Sequence, residues 1–162
     1  MIVDIKKLTK TFSDGSKKLH VLKDINLQID KGSIVTIKGP SGSGKSTLLS
    51  IIGTLDSADS GELLINGISI QDNTNIDKLR NKSIGFVFQF HNLISELTLD
   101  ENVSLPKMIA KEQLDKEELI ELFEYFDLKD RMNSFPNDLS GGEKQRVAVM
   151  RAIINNPSII IA

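Results

Sequence analysis

Gly39-Pro40-Ser41-Gly42-Ser43-Gly44-Lys45-Ser46 decides the fold of this chain. The octapeptide satisfies G-x-x-x-x-G-K-S in full, and that pattern has mechanical content only between a strand and a helix. Both flanks read correctly. Ser33 to Lys38, carrying Ile34, Val35 and Ile37, reads as a buried strand running into Gly39. Lys45 to Ile52 is apolar at helical spacing and stops at Gly53, a cap. Glycines let the backbone curl so that successive N–H groups face phosphate oxygens, where a Cβ would obstruct them. A helix starting near Gly44 aims the positive end of its dipole at the same anion. Lys45 then suits neutralisation of terminal phosphates, and the Ser46 hydroxyl suits Mg²⁺. Such a loop does not name a reaction, because GTPases, nucleoside kinases, helicases and transport motors all carry it.

Outward from the loop, Ile25, Leu27 and Ile29 alternate with polar residues, a half-buried strand. Asn66-Gly67 between apolar residues of Glu62 to Ile70 is a hairpin signal. Ser83 to Phe88 reads as an apolar strand ending at Gln89. The chain then turns helical. Thr98 and Glu101 have capping-box spacing, and Leu119, Leu122, Phe123 and Phe126 form an amphipathic stripe. Ser140 and Glu143 make a second capping box, predicting a helix from the glycine pair to Asn155-Asn156-Pro157. Ser158 to Ala162 reads as a further buried strand.

Composition bounds the possibilities. The length of 162 residues suits one ordinary domain with a real core. A net charge of -2 gives no electrostatic footprint for nucleic acid or an anionic membrane, so no nucleic-acid partner is expected. The chain has no cysteine, which removes disulfides and thiolate metal sites and fits a reducing cytosol. Asp4 interrupts the apolar N-terminal stretch, which is no signal peptide, and no apolar run reaches bilayer-spanning length. Service to a membrane therefore requires a partner.

Leu139-Ser140-Gly141-Gly142-Glu143, followed by Lys144-Gln145-Arg146-Val147-Ala148, is the second glycine-rich segment. Alone, S-G-G-E could be a plain N-cap. After a phosphate loop, a glutamine-ended strand and a helical insertion, it closely resembles the signature motif of ATP-binding cassette (ABC) ATPases. The resemblance covers essentially the whole chain. It implies an α/β fold, a P-loop NTPase of ABC type, with a RecA-like core, an N-terminal antiparallel β subdomain and an inserted helical subdomain. The expected divisions are 1–89 for the nucleotide-binding core with its β subdomain, 90–138 for the helical subdomain, and 139–162 for the signature helix and the start of the strand that follows it, with the remainder of the fold absent.

By the same resemblance, ATP and Mg²⁺ are the expected ligands. Gly39, Pro40, Ser41, Gly42, Ser43, Gly44, Lys45, Ser46 and Thr47 would bind the phosphates. Phe12 matches an aromatic that stacks on adenine, although it could equally be a core residue. Val21 matches an apolar contact to base or ribose. Gln89 matches a glutamine that touches Mg²⁺ and the attacking water, so Lys45 and Gln89 are the catalytic candidates and Ser46 and Gln89 the metal candidates. Ser140, Gly141, Gly142 and Glu143 would bind the γ-phosphate held by a second copy, in a head-to-tail ATP-sandwich dimer. His91 reads as a surface residue near a coupling site and His20 as structural.

Phe88-Gln89-Phe90-His91-Asn92-Leu93 and Ser140 to Arg146 are similar to the branch that contains lipoprotein-releasing and macrolide-export ATPases. That branch implies a transmembrane permease of the lipoprotein-releasing type as partner and a cytoplasmic place, peripheral on the inner (plasma) membrane. Macrolide or peptide export and a cell-division-type regulatory role are the alternatives. DNA-repair relatives place a long coiled coil between the two motifs, whereas this insertion is short and lacks sustained heptads. In the family the last strand continues into an Asp-Glu pair and a later histidine follows. None of these can be matched here, so the expectation is a fold incomplete at its C-terminus and a polypeptide inactive alone.

Overall fold

The computed structural model describes residues 1–15, 17–72 and 75–162. It divides into two compact units, Met1–Ile76 and Asp77–Ala162.

The first unit is built on an antiparallel sheet of order β2-β1-β3-β4, with β1 at Val3–Asp14, β2 at Lys17–Ile29, β3 at Ser60–Ile65 and β4 at Ile68–Ser69. β1 was not legible as a strand, because its alternation slips. Val3 and Ile5 are buried, then Leu8 takes the next inward position. Lys7 stands at φ 48°, and the register with β2 shifts between Ile5 and Leu8. One extra residue in a bulge turns the following side chains to the other face. Gly61 on β3 (φ 96°) meets this bulge so closely that a Cβ would lie 2.5 Å from the Lys7 carbonyl oxygen.

The expected hairpin is present. Asn66 and Gly67 both have positive φ, which brings Ile65 opposite Ile68. Ile25, Leu27 and Ile29 are half-buried along β2, as their alternation predicts. α1 spans Lys45–Ile52 and buries Leu48, Ile51 and Ile52. Gly53 donates to the Leu49 carbonyl at 2.8 Å but stays right-handed, and Thr54 takes the left-handed position at φ 57°.

The segment from Ser33 to Lys38 departs from its expectation. It forms no strand, Ile34 is 99% exposed and Val35 is exposed. An apolar run becomes a buried strand only when neighbours take up its ladder hydrogen bonds and cover its side chains. No strand pairs with it among the described residues.

In the second unit, α2 (Ile76–Ser83), which begins at the division, leads into β5 (Ile84–Phe86). α3 (Leu99–Ala110), α4 (Lys116–Tyr125), two short 3₁₀ turns, α5 (Gly141–Ile153) and β6 (Ile159–Ile161) follow. α2 gave no signal because Leu79 is its one buried residue. Leu99 and Val103 of α3, Leu119 and Phe123 of α4, and Val147 and Met150 of α5 share one core. The stripe on α4 is therefore the buried face that its spacing predicts. β5 and β6 pair in parallel, Ile84 opposite Ile159. Gly85 lies under α5, where a Cβ would sit 2.2 Å from the Ala152 carbonyl oxygen. β6 is less buried than expected, with Ile160 exposed, because β5 is its sole ladder partner among the described residues.

Candidate functional site

The Gly39–Ser46 loop is shaped by its own glycines. Gly42 (φ 78°) and Gly44 (φ 86°) are left-handed, a conformation costing other residues roughly 1–2 kcal/mol. A Cβ on Gly39 would lie 2.8 Å from Ser43 Oγ, a contact that rotation of the serine side chain relieves. A Cβ on Gly44 would meet the Val21 carbonyl oxygen at 2.9 Å and Val21 Cγ1 at 3.0 Å. Val21 thus lies against the loop from β2, where the β1 register shifts between Lys10 and Thr11.

Lys45 folds back over the loop, donating to the carbonyls of Gly39 at 2.9 Å and Pro40 at 2.7 Å, with Ser43 Oγ at 3.4 Å. Behind it, α1 begins at Gly44 with no side-chain cap and no acidic residue in its first turn. The first N–H groups of a helix have no partner within it. Here Lys45, Ser46 and Thr47 present theirs beside a cation, an arrangement suited to an anion.

Phe12 is 42% exposed on β1 opposite Leu19, so it is no core residue. Lys10 Nζ stands 5.1 Å from its ring centroid and is itself held by Asp56 Oδ1 at 2.8 Å and the Ser57 carbonyl at 2.7 Å. That Lys10 hydrogen bond holds the Asp56 carboxyl below its ordinary range, against a smaller opposing effect of burial. His20 meets Thr11 Oγ1 at 2.9 Å across the strands, in keeping with a structural role.

Gln89 does not end the strand. β5 stops at Phe86, the Val87 N–H continues the ladder to Ile161 at 2.9 Å, and Gln89 sits exposed in the turn beyond. This turn is closed from His91 N–H to the Phe88 carbonyl at 3.0 Å. His91 (φ 61°) and Asn92 (φ 49°) are consecutive left-handed residues. Two residues that sequence reasoning missed hold the segment. Arg151 of α5 donates to the carbonyls of His91 (2.6 Å) and Asn92 (2.7 Å). Asn102, fully buried on α3, accepts from Ile94 N–H and donates to the carbonyls of Ile94, Leu97 and Thr98. Burial lowers the Arg151 pKa from its usual value, yet a guanidinium stays charged. The available signal was a cation four residues after Val147 and three after Ala148, both of which are buried.

The second glycine pair opens α5 as the capping box predicts. Glu143 Oε2 accepts from Ser140 N–H at 2.8 Å and from Ser140 Oγ at 2.6 Å, and Glu143 N–H donates to Ser140 Oγ at 3.4 Å. The Ser140 hydroxyl and N–H are the main causes that hold the Glu143 carboxyl below its usual range, with Arg131 and Arg146 adding to them. α3 opens on the expected box of Thr98 and Glu101. Glu101 accepts from Thr98 N–H at 2.8 Å, while the Thr98 hydroxyl faces Asp100 and Glu101. Gly141 and Gly142 are helical, exposed, and have nothing within 4 Å of where a Cβ would stand.

An open-amide helix start behind left-handed glycines, on a mixed α/β framework, is the architecture of P-loop nucleotide-binding proteins. Within that class the chain belongs to the ABC transporter family, whose model matches residues 22–162. It is 49% identical to the lipoprotein-releasing system ATP-binding protein LolD of Bacteroides thetaiotaomicron, over 99% of this chain and 74% of the relative. Identity to LolD of Treponema denticola is 47%, over 99% and 73%. The macrolide export ATP-binding/permease protein MacB of Aggregatibacter actinomycetemcomitans is 44% identical, over 99% of this chain and 26% of its own length. A solved dimeric post-hydrolysis state of the ATP-binding cassette MJ0796, bound to ADP and Pi, superposes with a TM-score of 0.87 at 44% identity. That match covers 98% of this chain and 72% of the other. The fold is therefore that of ABC cassettes. No helix among the described residues is long and apolar enough to cross a membrane.

Proposed function

We propose that this chain is the ATP-hydrolysing subunit of a lipoprotein-releasing ABC system, working as an ATP-sandwich dimer coupled to a membrane permease. The observation that carries the reading is the pairing of two unlike glycine sites. The loop 39–46 offers open amides and a lysine to an anion, and Gly141-Gly142 offers bare backbone that no side chain among the described residues approaches. The kinship to LolD supports lipoprotein release, and the likeness to a dimeric cassette supports the dimer. The segments 1–89, 90–138 and 139–162 would serve as nucleotide core, docking subdomain and signature element.

In this reading Gly39 to Thr47 hold the phosphates, Lys45 neutralises their terminal charge, and Phe12 and Val21 receive the base and ribose. Ser140, Gly141 and Gly142 contact the γ-phosphate of the partner's ATP. Glu143 serves them as the cap that fixes the helix start. The Ser46 hydroxyl and the Gln89 amide oxygen are hard oxygen donors suited to Mg²⁺, and both are exposed. Bound there, the metal would offset charge on the transferring phosphoryl group. The 44% identity to MacB makes macrolide export the second reading.

ATP thus joins two copies, and loss of the γ-phosphate releases them, a ligand-biased two-state element. Mg-ATP is expected to convert a hydrolysis-dead version of the full-length protein from monomer to dimer in light scattering. A monomer at saturating Mg-ATP overturns the sandwich.

A further inference from the structure

The turn carrying Gln89 and the helix carrying Ser140-Gly141-Gly142 are distant in sequence, yet one side chain ties them. The Arg151 fork grips two successive carbonyls, His91 at 2.6 Å and Asn92 at 2.7 Å. These belong to two consecutive left-handed residues, neither of them glycine. Such a pair persists only where its surroundings hold it. Downstream, Asn102 fixes Ile94 to Thr98 to α3. Upstream, Phe88, Gln89 and Phe90 are exposed, with Phe90 at 81%. The turn thus carries exposed side chains on one side, with Phe88 stacked on Phe86 at 5.5 Å, and is fastened to α5 on the other. Arg151 lies ten residues into α5 from Gly141, roughly 15 Å along a rigid helix.

We propose that Arg151 is a positioning residue that couples the conformation of the Gln89 turn to the helix whose N-terminus bears Ser140, Gly141 and Gly142. Through it, a push on Phe88 to Phe90 shifts the signature end, and movement of that end re-aims Gln89. A planar guanidinium suits this task, because its fork spans two acceptors at fixed geometry where an ammonium offers one point of charge. The inference rests on reading Gln89 and Ser140–Glu143 as parts of one ATP-hydrolysing machine.

The test compares wild type, Arg151→Met and Arg151→Lys in the full-length protein with its membrane partner. Hydrogen exchange of amides 88–95 is measured without nucleotide, and steady-state ATP hydrolysis alongside. Arg151→Met is expected to speed exchange at 88–95 at least tenfold while Val147 to Ala152 stay protected. It should lower kcat about tenfold or more, with KM for ATP within about twofold. Arg151→Lys keeps the charge and the stem and should fold even if Arg151→Met does not. Its expected loss is intermediate in both readouts. Wild-type exchange and kcat in Arg151→Lys, or a loss of protection spread evenly over 77–162, overturns the inference. A wild-type chain that does not hydrolyse ATP breaks the functional reading instead, and the exchange comparison still decides whether Arg151 holds the turn.

Discussion

Two helix starts in this molecule are rich in glycine, and they are built in opposite ways. At α1 the chain itself demands Gly42 and Gly44 by left-handed φ, and Gly44 also by the nearness of the Val21 carbonyl oxygen. The helix they introduce has no side-chain cap. At α5 the helix is capped by Ser140 and Glu143, while Gly141 and Gly142 answer no steric need among the described residues. A residue that weakens a helix and fills no local requirement points to something that must come close from outside. In the proposed reading the first site is a cradle finished within one chain, and the second is one face of a contact.

The largest effect should come from the charge over the cradle. Lys45→Ala removes the one side-chain cation that donates to this loop among the described residues. In the full-length protein, hydrolysis should fall by about 10²- to 10³-fold, the usual scale for losing one preorganised donor to developing charge. Steady-state phosphate release measures it. Activity within threefold of wild type would separate the loop from the chemistry and leave α1 as an ordinary uncapped helix.

Alanine at the glycines tests the contrast itself, because the two sites should respond with opposite signs. Gly44→Ala places a Cβ 2.9 Å from the Val21 carbonyl oxygen in a left-handed residue, so Tm should fall together with nucleotide affinity. Gly142→Ala enters open space in a helical residue and should raise stability by about 0.5 kcal/mol. It should still impair ATP-driven dimerisation at least tenfold. Thermal unfolding with light scattering reads both. A Gly142→Ala protein that dimerises normally would mean that nothing approaches this backbone.

How much of this was legible follows from which interactions are local. The Asn66-Gly67 turn, the span of α1 and the Ser140–Glu143 cap are set within a few residues, and the sequence shows them directly. β1 was hidden because a bulge at Lys7 breaks its alternation. Ser33 to Lys38 misled in the other direction, since an apolar run carries strand propensity but not the neighbour that completes a ladder. Gln89 ends no strand, and the turn that carries it is tied at His91 and Asn92 by Arg151, 62 positions after Gln89. No local pattern announces a bond of that length.

The smallest effect concerns pH, and it separates the two helix starts without ligand. Hydrogen bonds from Ser140 hold the Glu143 carboxyl below its ordinary range in the folded protein. A depressed folded pKa means that the unfolded chain binds the proton more readily. The cap therefore contributes fully above the unfolded carboxyl value, about 4.3, and fades as pH falls through the lower folded value. Amide exchange at Ser140 and Glu143 should accelerate over that acid window. Glu143→Gln should abolish this pH dependence, because a carboxamide has no proton to gain there. The first turn of α1 has no acidic residue and should show no matching transition. If both helix starts loosened together in wild type and in Glu143→Gln, the acid response would belong to the fold at large, and the capped end would owe nothing to its carboxylate.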